Sequence, residues 1–132
     1  MTHRRYLLDT HALIFWAQST HISAEFSAFL DEQQSLGRLY ISAISFWEAA
    51  LLAKKGRIEL ADVYAWKNEL LTNTNLQLID PSATDMIDSI SLPDHHKDPF
   101  DRLLIAQANR RDMLVVTKDG EFSKYGVSIC WM

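Results

Sequence analysis

The stretch YLLDTHALIFW, Tyr6–Trp16, reads as three apolar strand residues, one acid, and then a helix that begins near Thr10 and runs to Ala17. Consecutive apolar residues, rather than alternating ones, mark a strand covered on both faces, as strands of parallel sheets are. The acid at the strand's end falls where open parallel sheets place their ligand sites. The pattern recurs. LYIS, 39–42, leads directly into AISFWEAALLAKKG, 43–56, an Ala-rich helix that Gly56 stops. LQLID, 76–80, ends at Asp80 and Pro81, and Ser82 then opens the helix SATDMIDSI. MLVVT, 113–117, is a fourth strand and VSICW, 127–131, a fifth; further helices span Ser23 to Gln34, 62–73, and Pro99 to about Arg111. Short β-rich runs alternating with longer helical ones predict an α/β fold, a three-layer α/β/α sandwich around a central, mainly parallel sheet of four to five strands.

At 132 residues and 48% hydrophobic, with no repeat, linker or low-complexity tract, the chain has the size and apolar content of one domain, 1–132. The basic start and apolar run of MTHRRYLLDTHALIFW imitate a short signal peptide, but Asp9 and His11 interrupt the run before any small-residue cleavage pattern. No segment approaches the roughly 18 apolar residues of a membrane span. One cysteine, Cys130, cannot form an internal disulfide, which suits a reducing, cytoplasmic setting. A net charge of -4 argues against nucleic-acid binding through a general basic field, though not against an enzyme whose metal ions supply the positive charge. Two local basic groups, Lys54, Lys55 and Arg57 and then Arg110 and Arg111, read first as cations at helix C-termini.

The acids are more telling. Asp9 ends the first strand and Asp119 follows the fourth, so both belong to the carboxyl edge of the sheet. Glu48 lies on or beside the apolar stripe of its helix, four residues after Ile44, where a carboxylate needs a partner unless it reaches water at the stripe's edge. In HKDPFDRLLIAQA, 96–108, Asp98 before Pro99 is a good N-cap, which accounts for it structurally. Asp101 is harder to explain as a cap, since capping boxes use Glu or Gln there and Asp101 shares a face with Leu104, Ile105 and Ala108. Brought together, Asp9, Glu48, Asp101 and Asp119 would repel one another and raise each other's pKa. Hard divalent cations are the natural remedy for such an all-oxygen set. Mg²⁺ or Mn²⁺ with open coordination positions is suited to phosphate chemistry. His96, with Asp98, could coordinate an ion, but HHKD reads more simply as a solvated loop.

In order and spacing, YLLDTHALIFW, ISFWEAALLAKKGRIEL, HKDPFDRLLIAQA and LVVTKDGEF resemble the PIN-domain ribonucleases, most closely the VapC toxins of bacterial type II toxin-antitoxin pairs. The resemblance covers essentially the whole chain. It implies that the metal-binding and catalytic acids are Asp9, Glu48, Asp101 and Asp119, with Asp98 an accessory acid or cap and Thr117 a hydroxyl that holds the acidic site. It further implies a central first strand, a homodimer, and metal-dependent cleavage of single-stranded RNA leaving 5′-phosphate and 3′-hydroxyl ends. A small cognate antitoxin would insert a segment near the acidic groove and block it. RNA contacts then fall to Lys118, Arg102, Lys54 and Arg57.

Two other readings fit part of the pattern. A phospho-receiver domain could cast Asp9, Asp80 and Lys118 in its site, yet it leaves Glu48 and Asp101 without a role and lacks paired acids after the first strand. A non-catalytic interaction module could keep the fold alone. For a partner or dimer surface, exposed aromatics such as Trp66 are candidates, although core packing is the simpler account of that residue.

Overall fold

The computed structural model describes residues 4–132; residues 1–3, where the expected basic start begins, lie outside it. The strands are β1 (Tyr6–Leu8), β2 (Leu39–Ser42), β3 (Gln77–Ile79), β4 (Leu114–Val116) and β5 (Ile129–Cys130). The helices are α1 (Thr10–Gln18), α2 (Ala24–Ser35), α3 (Ala43–Lys54), α4 (Val63–Asn73), α5 (Ala83–Ser91) and α6 (Pro99–Arg111), with a 3₁₀ helix at Gly120–Tyr125. The five strands run in the order β3-β2-β1-β4-β5, every neighbouring pair parallel. The chain builds outward from β1 to one edge and then crosses back to build β4 and β5 on the other side. The carboxyl end of β1 is therefore a topological switch point, where the diverging connections leave a crevice.

The pleat sorts β1 between two cores. Tyr6 and Leu8 join Leu13, Phe26, Leu30 and Leu70 on one face, while Leu7 joins Leu104, Ile105, Val115 and Phe122 on the other. Leu7, Leu8, Val115 and Val116 are wholly buried, which is why both strands read as continuous apolar runs. Each such burial stabilises the fold by about 1.5–3 kcal/mol before entropy is counted. The result is the three-layer sandwich expected.

Each helix begins on a side-chain cap: Asp9, Ser23, Ser42, Asp62, Ser82 and Asp98 accept backbone N–H groups of the first turns. Two elements differ from the sequence reading. The segment after Asp119 is a 3₁₀ helix, unforeseen because a short irregular turn has no periodicity to read. The fifth strand is two residues long instead of five, and Val127, expected to begin it, packs in the core with Phe122 ahead of the strand. The receiver arrangement is also excluded by topology. β3, which carries Asp80 past its end, is an edge strand separated from β4 by β2 and β1, so Asp80 cannot meet Lys118. Trp66 packs edge-on against Phe46 at 5.8 Å, the core role; the exposed aromatics are Trp47 and Tyr64.

Candidate active site

Three acids come from caps or first turns at the carboxyl edge of the sheet. Asp9 follows β1, its backbone N–H donating to Val116, and its Oδ1 accepts the Ala12 N–H at 2.7 Å. Asp119 starts the 3₁₀ helix, its Oδ1 accepting from Glu121 N at 2.9 Å. Asp98 caps α6 with Oδ1, accepting from Phe100 and Asp101 N–H groups, so Asp101 is capped and does not cap. A carboxylate has two oxygens. Capping occupies one and leaves a second, which in Asp119 is Oδ2, 3.1 Å from His96 Nε2.

Asp9, Asp101 and Asp119 line a cavity of about 400 Å³ with His11, Phe15, His96, Thr117, Lys118 and Trp131. Glu48 and Asp98 line an adjoining recess of about 610 Å³ that shares His11 and Phe15 and includes Arg57. Glu48 is buried, and its Oε1 has no hydrogen-bond partner. Thr10, whose hydroxyl donates to Ser45 at 3.0 Å, also lies against the Glu48 carboxylate.

Charge ties the two recesses together. Asp101 is pushed up to about 8, first by burial and then by repulsion from Asp98, Asp9, Glu48 and Asp119. Asp9 is raised by burial, against the opposing pull of the Thr117 hydroxyl and the Ala12 N–H. Glu48 is raised by burial, eased by Thr10 and reinforced by Asp98. Thr117 is wholly buried, with its Oγ1 also accepting the Asp119 N–H at 3.0 Å, so one hydroxyl links the Asp9 and Asp119 segments.

The geometry departs from the four-acid expectation in one respect. The ligand-type atoms that lie within 4.8 Å of one another belong to His96, Asp101 and Asp119, while Asp9 and Glu48 stand outside that trio. His96, expected in a solvated loop, instead points into the centre, its Nε2 3.0 Å from Asp101 Oδ2 and 3.1 Å from Asp119 Oδ2. No periodicity marks a loop histidine; only its place two residues before a capping Asp hinted at it. The donor chemistry and the buried, unpartnered Glu48 oxygen fit a divalent cation.

The expected RNA contacts divide sharply. Arg102 is buried, and its guanidinium donates to the carbonyls of Ser89 (3.1 Å), Pro93 (2.9 Å), His96 (3.0 Å), Ile90 (3.4 Å) and Leu92 (2.8 Å). With its N–H groups spent on main chain, it braces the α5–α6 loop and has nothing left for a phosphate, which corrects the sequence reading. Lys118 is exposed at the cavity rim, its Nζ 5.4 Å from the Phe15 ring centre and 5.2 Å from that of Trp131. Arg57 is exposed beside Glu48, whereas Lys54, also exposed, lines neither recess. Arg110 and Arg111 do lie at a helix C-terminus, with Arg111 donating to the Gln107 carbonyl, but both also reach the buried Asp85.

A parallel sheet with its acids gathered at the switch point is the PIN architecture, and the PIN domain family model matches residues 6–127. The chain belongs to the PIN-domain family. Within it, the chain is 34% identical to Ribonuclease VapC22 of Mycobacterium tuberculosis over 116 residues, 86% of this chain and 85% of that protein, and is thus a homologue of the VapC proteins. Its fold is similar to the crystal structure of DNA-bound VapBC from Salmonella typhimurium, with a TM-score of 0.72 at 21% identity, covering 97% of this chain and 98% of that one. It is also similar to VapC20 of Mycobacterium tuberculosis, described as a Sarcin-Ricin loop cleaving toxin, with a TM-score of 0.69 at 16% identity over 96% and 99% of the two chains.

Proposed function

We propose that the chain, as one nuclease domain over 1–132, is a metal-dependent endoribonuclease that cleaves single-stranded RNA as the toxin of a toxin-antitoxin pair. The observation that carries this reading is Asp101, a largely buried carboxylate set among four other acids, with the His96 ring nitrogen beside it and, among the described residues, no arginine or lysine to neutralise it. Asp9, Asp101 and Asp119, with Glu48 behind them, would hold Mg²⁺ or Mn²⁺, which when bound supplies positive charge at the phosphate and activates water for in-line attack. The chain's own residues do the positioning. Thr117 restrains Asp9 and Asp119, the Asp98 cap fixes the start of α6 and so Asp101, and the apolar walls of Phe15 and Trp131 limit water at one side. Lys118 beside two rings suits a flexible strand, whose unpaired bases stack while its phosphates meet a cation. A net charge of -4 is compatible with this, because recognition would rest on metal-phosphate contacts and a few local cations.

Kinship with VapC22 and a fold like that of VapBC and VapC20 support the ribonuclease and antitoxin assignments. Trp47 and Tyr64, 62% and 80% exposed, border a largely apolar recess on α3 and α4 that suits a partner's side chains. The test is cleavage of a labelled single-stranded RNA with Mg²⁺ or Mn²⁺. Cleavage should yield 5′-phosphate ends and stop in excess chelator; persistence of full activity in chelator would refute the mechanism.

A further inference from the structure

His96 is held more firmly than a loop histidine needs to be. Its backbone N–H donates to the Tyr125 hydroxyl, its carbonyl accepts from Arg102, and its ring meets the Phe122 ring edge-on at 5.9 Å. The Asp98 N–H donates to its Nδ1 at 3.1 Å. A backbone N–H can point at a ring nitrogen only if that nitrogen presents a lone pair, so Nδ1 is unprotonated and the ring proton sits on Nε2. Nε2 is the atom that lies 3.0 and 3.1 Å from the Asp101 and Asp119 carboxylates. A histidine binds metal through a lone pair. Using Nε2 for that would move the proton to Nδ1 and set two N–H donors against each other at Asp98. The same hydrogen bond that fixes the ring therefore makes it a donor toward the site.

We propose that His96 is a positioning residue. With Nδ1 accepting the Asp98 N–H, its Nε2–H donates to both Asp101 and Asp119, and so holds carboxylates from α6 and the 3₁₀ helix at the spacing a divalent cation requires, without itself being a ligand. This rests on the metal-dependent reading above. It also gives Arg102 its purpose, since the guanidinium that grips the His96 carbonyl and four neighbouring carbonyls anchors the loop from which the imidazole is aimed. Hydrogen bonds to the groups that ligate a metal typically change its affinity by about 10–100-fold when removed.

The experiment uses the whole chain without RNA. Long-range ¹H–¹⁵N spectra of the metal-free protein, with the His96 ring assigned through H96Q, should show the Nε2–H tautomer. Mn²⁺ binding followed by electron paramagnetic resonance should weaken about 10–100-fold in H96A. It should return to within a few-fold of wild type in H96Q, whose amide keeps a donor near the Nε2 position. Cooperative melting of both variants checks that they fold. An Nδ1–H tautomer, unchanged Mn²⁺ affinity in H96A, or H96Q as weak as H96A would each overturn the proposal. So would a directly coordinated nitrogen seen by electron spin echo in wild type and lost in H96A, which would make His96 a ligand. Absence of Mn²⁺ binding by the wild type would bring down the metal reading and this proposal together, an outcome distinct from the others.

Discussion

Two aspartates mark opposite ends of α6, one packed against it from α5 and one within its own first turn, and they are solved in opposite ways. Asp85, wholly buried on α5, meets the C-terminal end. Arg111 clasps it with two nitrogens at 3.1 and 2.9 Å, and the Ser82 N–H donates to it at 2.8 Å in a capping box. Burial alone would raise its pKa, but Arg111 and Ser82 prevail and hold it below the usual value. Asp101, at the N-terminal end, is raised to about 8 because burial and four acids act in the same direction. Where the fold uses a carboxylate as architecture it provides the cation from its own chain. At Asp101 the described residues supply the His96 ring nitrogen at 3.0 Å and no arginine or lysine, and under the proposed function a bound cation would supply the remaining compensation. That difference would separate a structural acid from a site acid without reference to any relative.

The largest expected effect follows from exchanging charge for a neutral isostere at each end. Asp101→Asn should reduce RNA cleavage to background, as should Asp9→Asn, while raising the melting temperature of the metal-free protein at neutral pH, because the amide need neither take up a proton nor carry a repelled charge on folding. Asp85→Asn should do the reverse. It leaves Arg111 without its carboxylate partner and should cost about 3 kcal/mol, the low end for breaking buried pairs because Arg111 is partly exposed. Thermal or urea unfolding beside a cleavage assay measures both. If D101N proves less stable than wild type without metal, the acids are not in conflict and the contrast fails.

The second expected effect is a pH dependence of opposite sign at the two ends. Asp85 has a lowered folded pKa, so its contribution to stability is present above its unfolded value near 4 and is lost as pH falls through the folded one. Asp101 has a raised folded pKa, so its contribution is complete below its unfolded value near 4 and is lost as pH rises to about 8. Metal-free wild type should therefore lose melting temperature between about pH 4 and 8, and D101N should lose less. Millimolar Mn²⁺ should offset the loss by binding the folded state. A melting profile that is flat across this range in wild type would show that Asp101 carries no such burden.

The contrast also explains what could be read in advance. The sheet was legible because β1 and β4 are buried on both faces and leave unbroken apolar runs, and because each helix opens on a capping residue that periodicity can locate. Asp9, Asp101 and Asp119 were legible as acids placed at strand ends or on a core-facing stripe. Asp85 was not, because its partner lies 26 residues away on a helix whose basic end had a sufficient local explanation in the dipole. Arg102 was misread for a related reason: sequence shows that a residue is charged, not that five main-chain carbonyls converge on it. His96 depends on three contacts from outside its own segment, from Tyr125, Asp119 and Phe122, and a loop offers no register from which to foresee them.

The smallest expected effect concerns a charge that, among the described residues, is neither paired with an acid nor left in conflict. Lys118 adjoins Asp119 in sequence, yet its ammonium lies over Phe15 and Trp131 at the cavity rim. Such a contact at an exposed site contributes only about 0.5–1 kcal/mol, so Lys118→Ala should leave the melting temperature nearly unchanged. A phosphate contact made by that ammonium would release counterions on binding. The slope of log affinity against log salt for a single-stranded RNA, measured with Ca²⁺ in place of the catalytic ion, should then fall by roughly one in K118A and be restored in K118R. Weaker binding without a change of slope would assign Lys118 to arranging the two rings, and the phosphate contact would pass to Arg57, exposed beside Glu48 in the adjoining recess.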